Sequence, residues 1–169
     1  MRINRGSPLL TSKIKSLNSL RILTRILHRQ GKKIVFTNGC FDLLHAGHIK
    51  YLEEAKKLGD ILIVALNSDA SVRRIKGPGR PLVSQKDRLC IVAALTSVDY
   101  VCLFGEATPI KVIRALRPDV LVKGADWKGK GIVGSEFVKS YGAKVATIKL
   151  IKGRSTTRLI KKIAKVFSP

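Results

Sequence analysis

The chain has 169 residues, 45% of them hydrophobic, and a formal net charge of +22 at pH 7. This length suits one domain with a sizeable core, and this hydrophobic fraction excludes a disordered chain. No apolar run approaches the roughly 18 residues of a membrane span, so no membrane partner is expected. Three cysteines (Cys40, Cys90 and Cys102) have neither CxxC nor metal-ligand spacing. They predict reduced thiols in a cytoplasmic protein that has no metal site of its own.

Most of the positive charge lies at the two ends of the chain. Residues 1–33 carry nine Lys or Arg and residues 144–169 carry eight, with no acidic residue in either segment, whereas residues 34–143 have a net charge of +5. Such ends suit an electrostatic footprint for nucleic acid or a membrane surface. They equally suit a basic host proteome and phosphorylated small substrates. We prefer the second interpretation, and expect no nucleic-acid partner, because no nucleic-acid motif or series of stacking aromatics accompanies the charge.

Residues 1–30 are predicted to form a basic amphipathic extension that precedes one domain over residues 31–169. A helix over about residues 12–29 has a leucine face and an arginine face, which consist of Leu17, Leu20, Leu23 and Leu27 and of Arg21, Arg25 and Arg29. An organellar transit peptide has a similar basic, acid-poor composition. We prefer a helix that packs on the domain, because amphipathic surface helices are common.

The rest of the chain alternates between apolar strands and helices. Strands are predicted over residues 34–37, 61–66, 100–104, 120–122 and 144–148, and helices over residues 46–58, 84–96, 108–116 and 156–166. Continuous apolar strands separated by helices are typical of a parallel sheet that is covered on both faces. The predicted fold class is therefore α/β: a Rossmann-like, doubly wound, five-stranded parallel sheet with helices on both faces.

Polar and basic residues follow four of the predicted strands. In such a sheet, ligands bind beyond the carboxyl ends of the strands. The residues in question are Asn38–Asp42, His45 and His48 after the first strand, Asn67–Asp69 and a basic loop over residues 73–81 after the second, Lys123–Trp127 after the fourth, and Gly153–Thr157 after the fifth. Because these segments meet at one edge of the sheet, they predict an anion site there.

Two of the three histidines flank a glycine directly after the first strand, as His45-Ala46-Gly47-His48. Their ring N–H groups suit phosphate oxygens, and an imidazolium offsets charge in a phosphoryl transition state. Gly47 lets a nucleotide approach the backbone closely. A lone histidine is more often structural than catalytic, but this pair after a buried strand favours a functional role.

Further cationic and hydroxyl groups have a structural and a functional interpretation. Ser155 and Thr156 open the last predicted helix and either cap it or bind a phosphate with hydroxyls and free amides. Lys76 and Arg80 lie on the basic loop and either face solvent or clamp a substrate phosphate or a leaving pyrophosphate. The residues alone leave both alternatives open.

The segment Thr37–His48, TNGCFDLLHAGH, resembles the signature of the HxGH nucleotidylyltransferases. The resemblance runs from about Lys32 to Lys165, and it is strongest to the heptose 1-phosphate adenylyltransferases. Those form the nucleotidylyltransferase half of the bifunctional ADP-heptose synthesis enzyme. The other matching segments are residues 67–71, 76–77 with 80–81, 87–88, 122–127 and 153–157.

This resemblance implies that the phosphate of a sugar 1-phosphate attacks the α-phosphorus of ATP and that pyrophosphate leaves, giving an ADP-sugar for cell-envelope polysaccharide. ATP is implied as a substrate that carries Mg²⁺. The implied catalytic residues are His45, His48 and Lys123. The implied nucleotide-binding residues are Thr37, Asn38, Gly39, Cys40, Phe41, Gly47, Asp126, Ser155, Thr156 and Thr157. The implied ligands of the substrate phosphate are Lys76, Arg80 and Arg88.

The resemblance also implies partners. Only about thirty residues precede the motif, so a separate sugar kinase is expected to supply the substrate, and a homodimer is expected. The glycerol-3-phosphate cytidylyltransferases resemble the chain too, but they typically carry an arginine where this chain has Leu150. Cytidylyl transfer to a polyol phosphate is therefore the alternative activity. A non-catalytic, basic nucleic-acid-binding module is the second alternative.

Overall fold

Five parallel strands form one sheet in the computed structural model, which describes residues 12–127, 129, 131–151 and 153–167. The strands are β1 (Ile34–Gly39), β2 (Ile61–Asn67), β3 (Tyr100–Phe104), β4 (Val120–Gly124) and β5 (Lys144–Ile148). Their spatial order is β3-β2-β1-β4-β5. The strand order therefore reverses between β1 and β4, and a doubly wound sheet binds its ligand at such a reversal. The predicted fold class is confirmed.

Seven helices of the described residues surround the sheet. They are α1 (Leu17–Arg29), α2 (Ala46–Lys56), α3 (Asp69–Lys76), α4 (Gln85–Ala93), α5 (Ile110–Leu116), α6 (Ser135–Lys139) and α7 (Thr156–Phe167), with a 3₁₀ turn over Ala125–Trp127. The predicted strands and the four helices predicted after the first strand are all present. Their ends differ from the prediction by at most three residues, because helix ends carry weaker sequence signals than strand cores.

The sheet separates two apolar cores. Alternate residues of β1 face opposite sides, so Val35 packs with α2 and α4 while Ile34 and Phe36 pack with α1, α5 and α6. Phe36 is fully buried, as are Leu52 of α2 and Ile113 of α5. Burial of each such side chain contributes about 1.5–3 kcal/mol. Helices cover both faces, and the sheet edge at the carboxyl ends of the strands is left for the site.

Helix α1 packs on the sheet as its leucine face predicts. Leu20 and Leu27 are buried in the core, whereas the three arginines of the opposite face are exposed. Ser16 caps the helix by accepting from the Ser19 amide, at 3.1 Å. Residues 1–11 lie outside the described residues, and the helix begins at Leu17 rather than near residue 12. The segment before it pairs with the edge strand β3, where the Lys15 amide donates to the Val101 carbonyl at 2.9 Å.

The predicted basic loop over residues 73–81 is wrong in its first half. Residues 69–76 form α3, because Ser68 caps the helix and accepts from the Ser71 amide at 3.2 Å. Val72 is buried on the inner side of this helix. The run of basic residues obscured this short apolar stripe in the sequence. As a result, Lys76 lies in the last turn of a helix and only residues after it form a loop.

Candidate active site

One cavity of about 550 Å³ lies beyond the carboxyl ends of the strands, at the strand-order reversal. It is large enough for a nucleotide-sized ligand. Its lining brings together most of the predicted site residues: Asn38, Gly39, Cys40, Phe41, His45, Gly47, His48, Lys76, Arg80, Lys123, Asp126, Ser155, Thr156 and Thr157. Segments that are more than a hundred residues apart in the sequence therefore form a single site.

His45 and His48 form a stacked pair at the start of α2. Their ring centroids lie 3.9 Å apart with an interplanar angle of 18°, and the Phe41 ring lies 5.4 Å from that of His48. The Nδ1 atoms of both histidines are buried without a hydrogen-bond partner among the described residues. Buried polar atoms in proteins are nearly always paired, so this pair is suited to a ligand that supplies the missing partner.

Burial lowers the pKa of both histidines. It brings the pKa of His48 to about 4, with the nearby His45 as a second cause, and it lowers that of His45, to which the Arg154 charge adds. Both rings are therefore neutral at pH 7 while the cavity lacks an anion. A polyanion beside them raises these pKa values by favouring the charged form.

The start of α7 lines the cavity and contacts the turn that follows β1. The Thr156 hydroxyl donates to the Leu43 carbonyl at 3.0 Å, and Ser155 caps α7 by accepting from the Arg158 amide at 3.2 Å. A Cβ atom at Gly47 would lie 3.3 Å from the Cβ of Arg154. The first amides of α7 and the positive end of its dipole thus lie next to the histidine pair, which makes this region suitable for phosphate.

Lys123, the penultimate residue of β4, lines the cavity. Its side chain is buried to 8% exposure, its Nζ donates to Asn38 Oδ1, and it lies 5.6 Å from the centroid of the Trp127 ring. Burial lowers the pKa of Lys123 to about 8, against the opposing effect of Asp126. The ammonium group is therefore charged at neutral pH but poorly solvated, so a bound phosphate gains a strong partner there.

Two further cationic side chains, Lys76 and Arg80, line the cavity. Arg80 Nε donates to Asp42 Oδ2 at 2.7 Å, and Asp42 is only 3% exposed. Burial favours protonation of Asp42, but hydrogen bonds from the Val83 and Leu82 amides and from Arg80 outweigh it and lower the pKa. The carboxylate is thus ionised and holds Arg80 in one orientation at the cavity.

Two predicted site residues do not line the cavity. Thr37 is fully buried, and its hydroxyl lies 2.7 Å from that of Tyr51. Arg88 is also fully buried, and its guanidinium donates to three backbone carbonyls and to Asp69. The position of Arg88 does not support the prediction that it binds substrate phosphate, because the protein itself already surrounds this charge.

The cavity also contains residues that the sequence analysis did not assign to the site. They are Tyr51, Ala107–Pro109, Val133, Leu150 and Ile151. Ala107–Pro109 follow the third strand, so the same strand-end rule points to them. Ile75 belongs to the segment 73–81, which the same rule placed at this edge, but it reaches the cavity from the unpredicted helix α3 rather than from a loop.

Two further structural findings concern membrane-spanning helices and groups of metal ligands. Among the described residues, no helix combines the length and the apolar character that crossing a membrane requires. The same residues contain no group of three or more His, Cys, Asp or Glu side chains placed to hold a metal ion. The cations that line the cavity suit a polyphosphate rather than a bare metal ion.

Comparisons with known proteins agree with this geometry. A family model described as cytidylyltransferase-like matches residues 36–162. The chain is 55% identical over 152 residues to the bifunctional protein HldE of Syntrophotalea carbinolica and 57% identical over 152 residues to that of Citrifermentans bemidjiense. Each match covers 90% of this chain and 31% of the relative, so the chain spans about a third of the length of these curated relatives.

Solved structures share the fold. A lipopolysaccharide core biosynthesis protein from Thermoplasma volcanium is 33% identical with a TM-score of 0.59, and the match covers 73% of this chain and all of that one. A pantoate-beta-alanine ligase from Francisella tularensis, complexed with beta-gamma ATP and beta-alanine, has a TM-score of 0.60 at 16% identity. That match covers 92% of this chain and 78% of the ligase, and it indicates a common fold alone.

Proposed function

Because the chain belongs to the cytidylyltransferase-like family, we propose that its cavity transfers an adenylyl group from ATP to a sugar 1-phosphate of the heptose 1-phosphate type. Membership of the family identifies the chain as a nucleotidyltransferase. The identities of the nucleotide, ATP, and of the acceptor, a sugar 1-phosphate, are what we propose. The observation that carries it is the unpartnered histidine pair beside the start of α7, with the ammonium of Lys123 in the same cavity. Such a site matches the charge of a triphosphate.

The reaction needs no covalent enzyme intermediate. A phosphate oxygen of the acceptor forms a bond to the α-phosphorus, while the bond from that phosphorus to the oxygen that bridges to the β-phosphorus breaks. Pyrophosphate leaves with the electron pair, and no proton has to move because the attacking phosphate is already ionised. The protein contributes position and positive charge, which supply most of the catalysis in phosphoryl transfer.

The residues divide this task between the two sides of the cavity. His45, His48 and the first amides of α7 bind the triphosphate and stabilise charge that develops at the α-phosphorus. Lys123 holds a non-bridging oxygen of the reacting phosphate. Asn38, Gly39, Cys40, Phe41 and Asp126, which also line the cavity, bind the nucleoside. Lys76 and Arg80 bind the phosphate of the acceptor.

ATP enters as its magnesium complex, so the metal belongs to the substrate. The charges of the lining support this assignment, because four cations (Lys76, Arg80, Lys123 and Arg154) face the cavity with two carboxylates, Asp42 and Asp126. Asp42 is already engaged by Arg80. The ion offsets charge on the phosphates when the nucleotide is bound.

The name of one relative supports a role of the ADP-sugar product in lipopolysaccharide synthesis. The Thermoplasma volcanium protein is a lipopolysaccharide core biosynthesis protein, and the curated relatives described above are named as bifunctional proteins. A sugar kinase would supply this sugar 1-phosphate. A separate kinase chain, a homodimer and a cytoplasmic location all stay predictions.

A coupled assay of pyrophosphate release tests the proposal. The protein is incubated with Mg²⁺, with ATP or CTP, and with a panel of sugar 1-phosphates and polyol phosphates, and the product is identified by mass spectrometry. We expect turnover with ATP and a heptose 1-phosphate. Turnover with CTP and glycerol 3-phosphate alone would establish the alternative, cytidylyl transfer to a polyol phosphate. No turnover with any pair would overturn the proposal.

A further inference from the structure

The geometry points to Asp42 and Arg88 as positioning residues that lock the segment 80–83 to the turn at residues 40–42 and thereby set Arg80 in the cavity. This inference rests on the proposed function, which assigns Arg80 to the phosphate of the acceptor. The turn carries Cys40 and Phe41 on the nucleotide side. The two residues would therefore hold the nucleotide side and the acceptor side in one fixed relation.

Asp42 connects the turn to the segment by three hydrogen bonds. Its Oδ1 accepts from the Leu82 amide at 2.8 Å and from the Val83 amide at 2.9 Å, and its Oδ2 accepts from Arg80 Nε at 2.7 Å. The carboxylate is 3% exposed, so water competes little with these bonds. Charge-assisted bonds of this length are about twice as strong as neutral ones.

Arg88 makes the same connection from the protein interior. Its Nε donates to the Val83 carbonyl at 3.0 Å, and its Nη1 donates to the Cys40 carbonyl at 2.5 Å. Its Nη2 donates to the Asn67 carbonyl and to Asp69, each at 2.8 Å. One planar guanidinium thus joins the ends of β1 and β2, the start of α3 and the segment before α4, an arrangement that a lysine cannot reproduce.

The segment needs this support because it has little structure of its own. It follows Gly77 and Gly79, both of which have positive φ angles, and it precedes α4, which begins at Gln85. Glycines of this kind allow many backbone conformations. Arg80 therefore owes its place in the cavity to Asp42, and the backbone of the segment owes its place to both residues.

Steady-state kinetics of Asp42→Asn test the role of the carboxylate. The amide keeps an oxygen for the two backbone N–H groups but presents an uncharged group to Arg80. We expect the KM for the sugar 1-phosphate to rise about tenfold or more, the effect of losing a charge-assisted bond, while the KM for ATP changes less than about twofold. An equal rise in both KM values would contradict the inference.

A double-mutant cycle tests whether Asp42 acts through Arg80. Arg80→Gln alone should also raise the KM for the acceptor, and the double variant Asp42→Asn/Arg80→Gln should be no worse than Arg80→Gln. Such non-additivity is the sign of two residues that act as one unit. A double variant in which the two effects multiply would overturn the inference.

Asp99→Asn is a matched control at the other end of the sheet. Asp99 Oδ2 accepts from the Leu62 amide at 2.7 Å and from Lys56 Nζ at 2.5 Å, so it has the same kinds of partner as Asp42. It does not line the cavity. We expect this variant to lose stability without a change in either KM. A raised KM for the acceptor in Asp99→Asn would show that a general loss of stability is enough to raise this KM, and it would contradict the inference.

Amide hydrogen exchange separates this inference from the proposed reaction. In Asp42→Ala, exchange of the Leu82 and Val83 amides should quicken at least about tenfold, while the amides of β2 keep their protection. Arg88→Lys should quicken the Val83 amide as well. This readout needs no substrate, so it holds even if no nucleotide pair gives turnover. Unchanged exchange at both amides would refute the inference by itself.

Discussion

The two walls of the cavity differ in how their polar groups are paired. In the bonded wall (Asp42 and Arg80 at the cavity, with the buried Arg88 that bonds the adjacent backbone), each charged side chain has partners within the protein. In the open wall (His45, His48 and the start of α7), both histidine Nδ1 atoms are buried without a hydrogen-bond partner among the described residues. The bonded wall is complete before a ligand arrives, and the open wall is completed by the ligand. Substitutions should therefore affect chemistry at the open wall, and substrate affinity or stability at the bonded wall.

The largest effect is expected from His48→Ala in the open wall. Loss of a group that stabilises developing charge should lower kcat about 100- to 1000-fold, with a small change in the KM for ATP. Single-turnover rates with saturating ATP and acceptor give this value. His28→Ala is the matched control, because His28 lies on α1 and does not line the cavity. Its Nε2 atom lies 3.2 Å from Asp119 Oδ2. If His48→Ala kept the wild-type kcat, the open wall would have no catalytic role.

The second-largest effect is expected from Lys123→Gln. Lys123 lines the same cavity as the residues of both walls. The buried ammonium bonds Asn38, and its loss should lower kcat/KM for ATP about 30- to 100-fold, as for a charged hydrogen bond to phosphate. The pH profile adds a second measurement. Burial lowers the pKa of Lys123 to about 8, so affinity of the free enzyme for ATP should fall as pH rises above 8.

The profile of Lys123→Gln should lack that alkaline fall. Lys144→Gln is the control, since Lys144 lies at the amino end of β5 and outside this cavity. If the affinity of Lys123→Gln for ATP still falls above pH 8, another group causes the fall.

The third effect is a loss of stability in acid. The pKa of His48 is about 4 in the folded protein and near 6.5 in the unfolded chain, so the unfolded chain binds the proton more readily. The contribution of His48 to stability is present above pH 6.5 and is lost as pH falls toward 4. Urea denaturation of the free protein over this range should show a decrease of roughly 1–3 kcal/mol that His48→Gln reduces. Saturating pyrophosphate should make the decrease smaller, because the anion raises the pKa of His48 in the folded protein toward that of the unfolded chain. An identical pH dependence in His48→Gln would contradict the role of this group.

The open wall could be predicted from the sequence more directly than the bonded wall. His45 and His48 are close in sequence and follow a buried strand, so their pattern predicts their place directly. The role of Arg88 depends on carbonyls of residues 40, 67 and 83, which only the folded chain brings together. Sequence patterns report charge and periodicity, but not which backbone groups a buried guanidinium will reach. For the same reason, the basic run over residues 73–76 predicted a loop where a capped helix exists.

The smallest effect is expected from Ser84→Ala, which removes the cap of the helix that carries Arg88. The Ser84 side chain accepts from the Asp87 amide at 3.3 Å, and loss of such a cap costs about 1 kcal/mol. If the bonded wall is held by its tertiary bonds rather than by helix propensity, the KM for the acceptor should stay unchanged while the urea midpoint falls. Ser16→Ala removes the cap of α1 on the other face of the sheet and should cost a similar amount. A rise in the KM for the acceptor in Ser84→Ala, but not in Ser16→Ala, would mean that the wall depends on its helix and would weaken the distinction between the two walls.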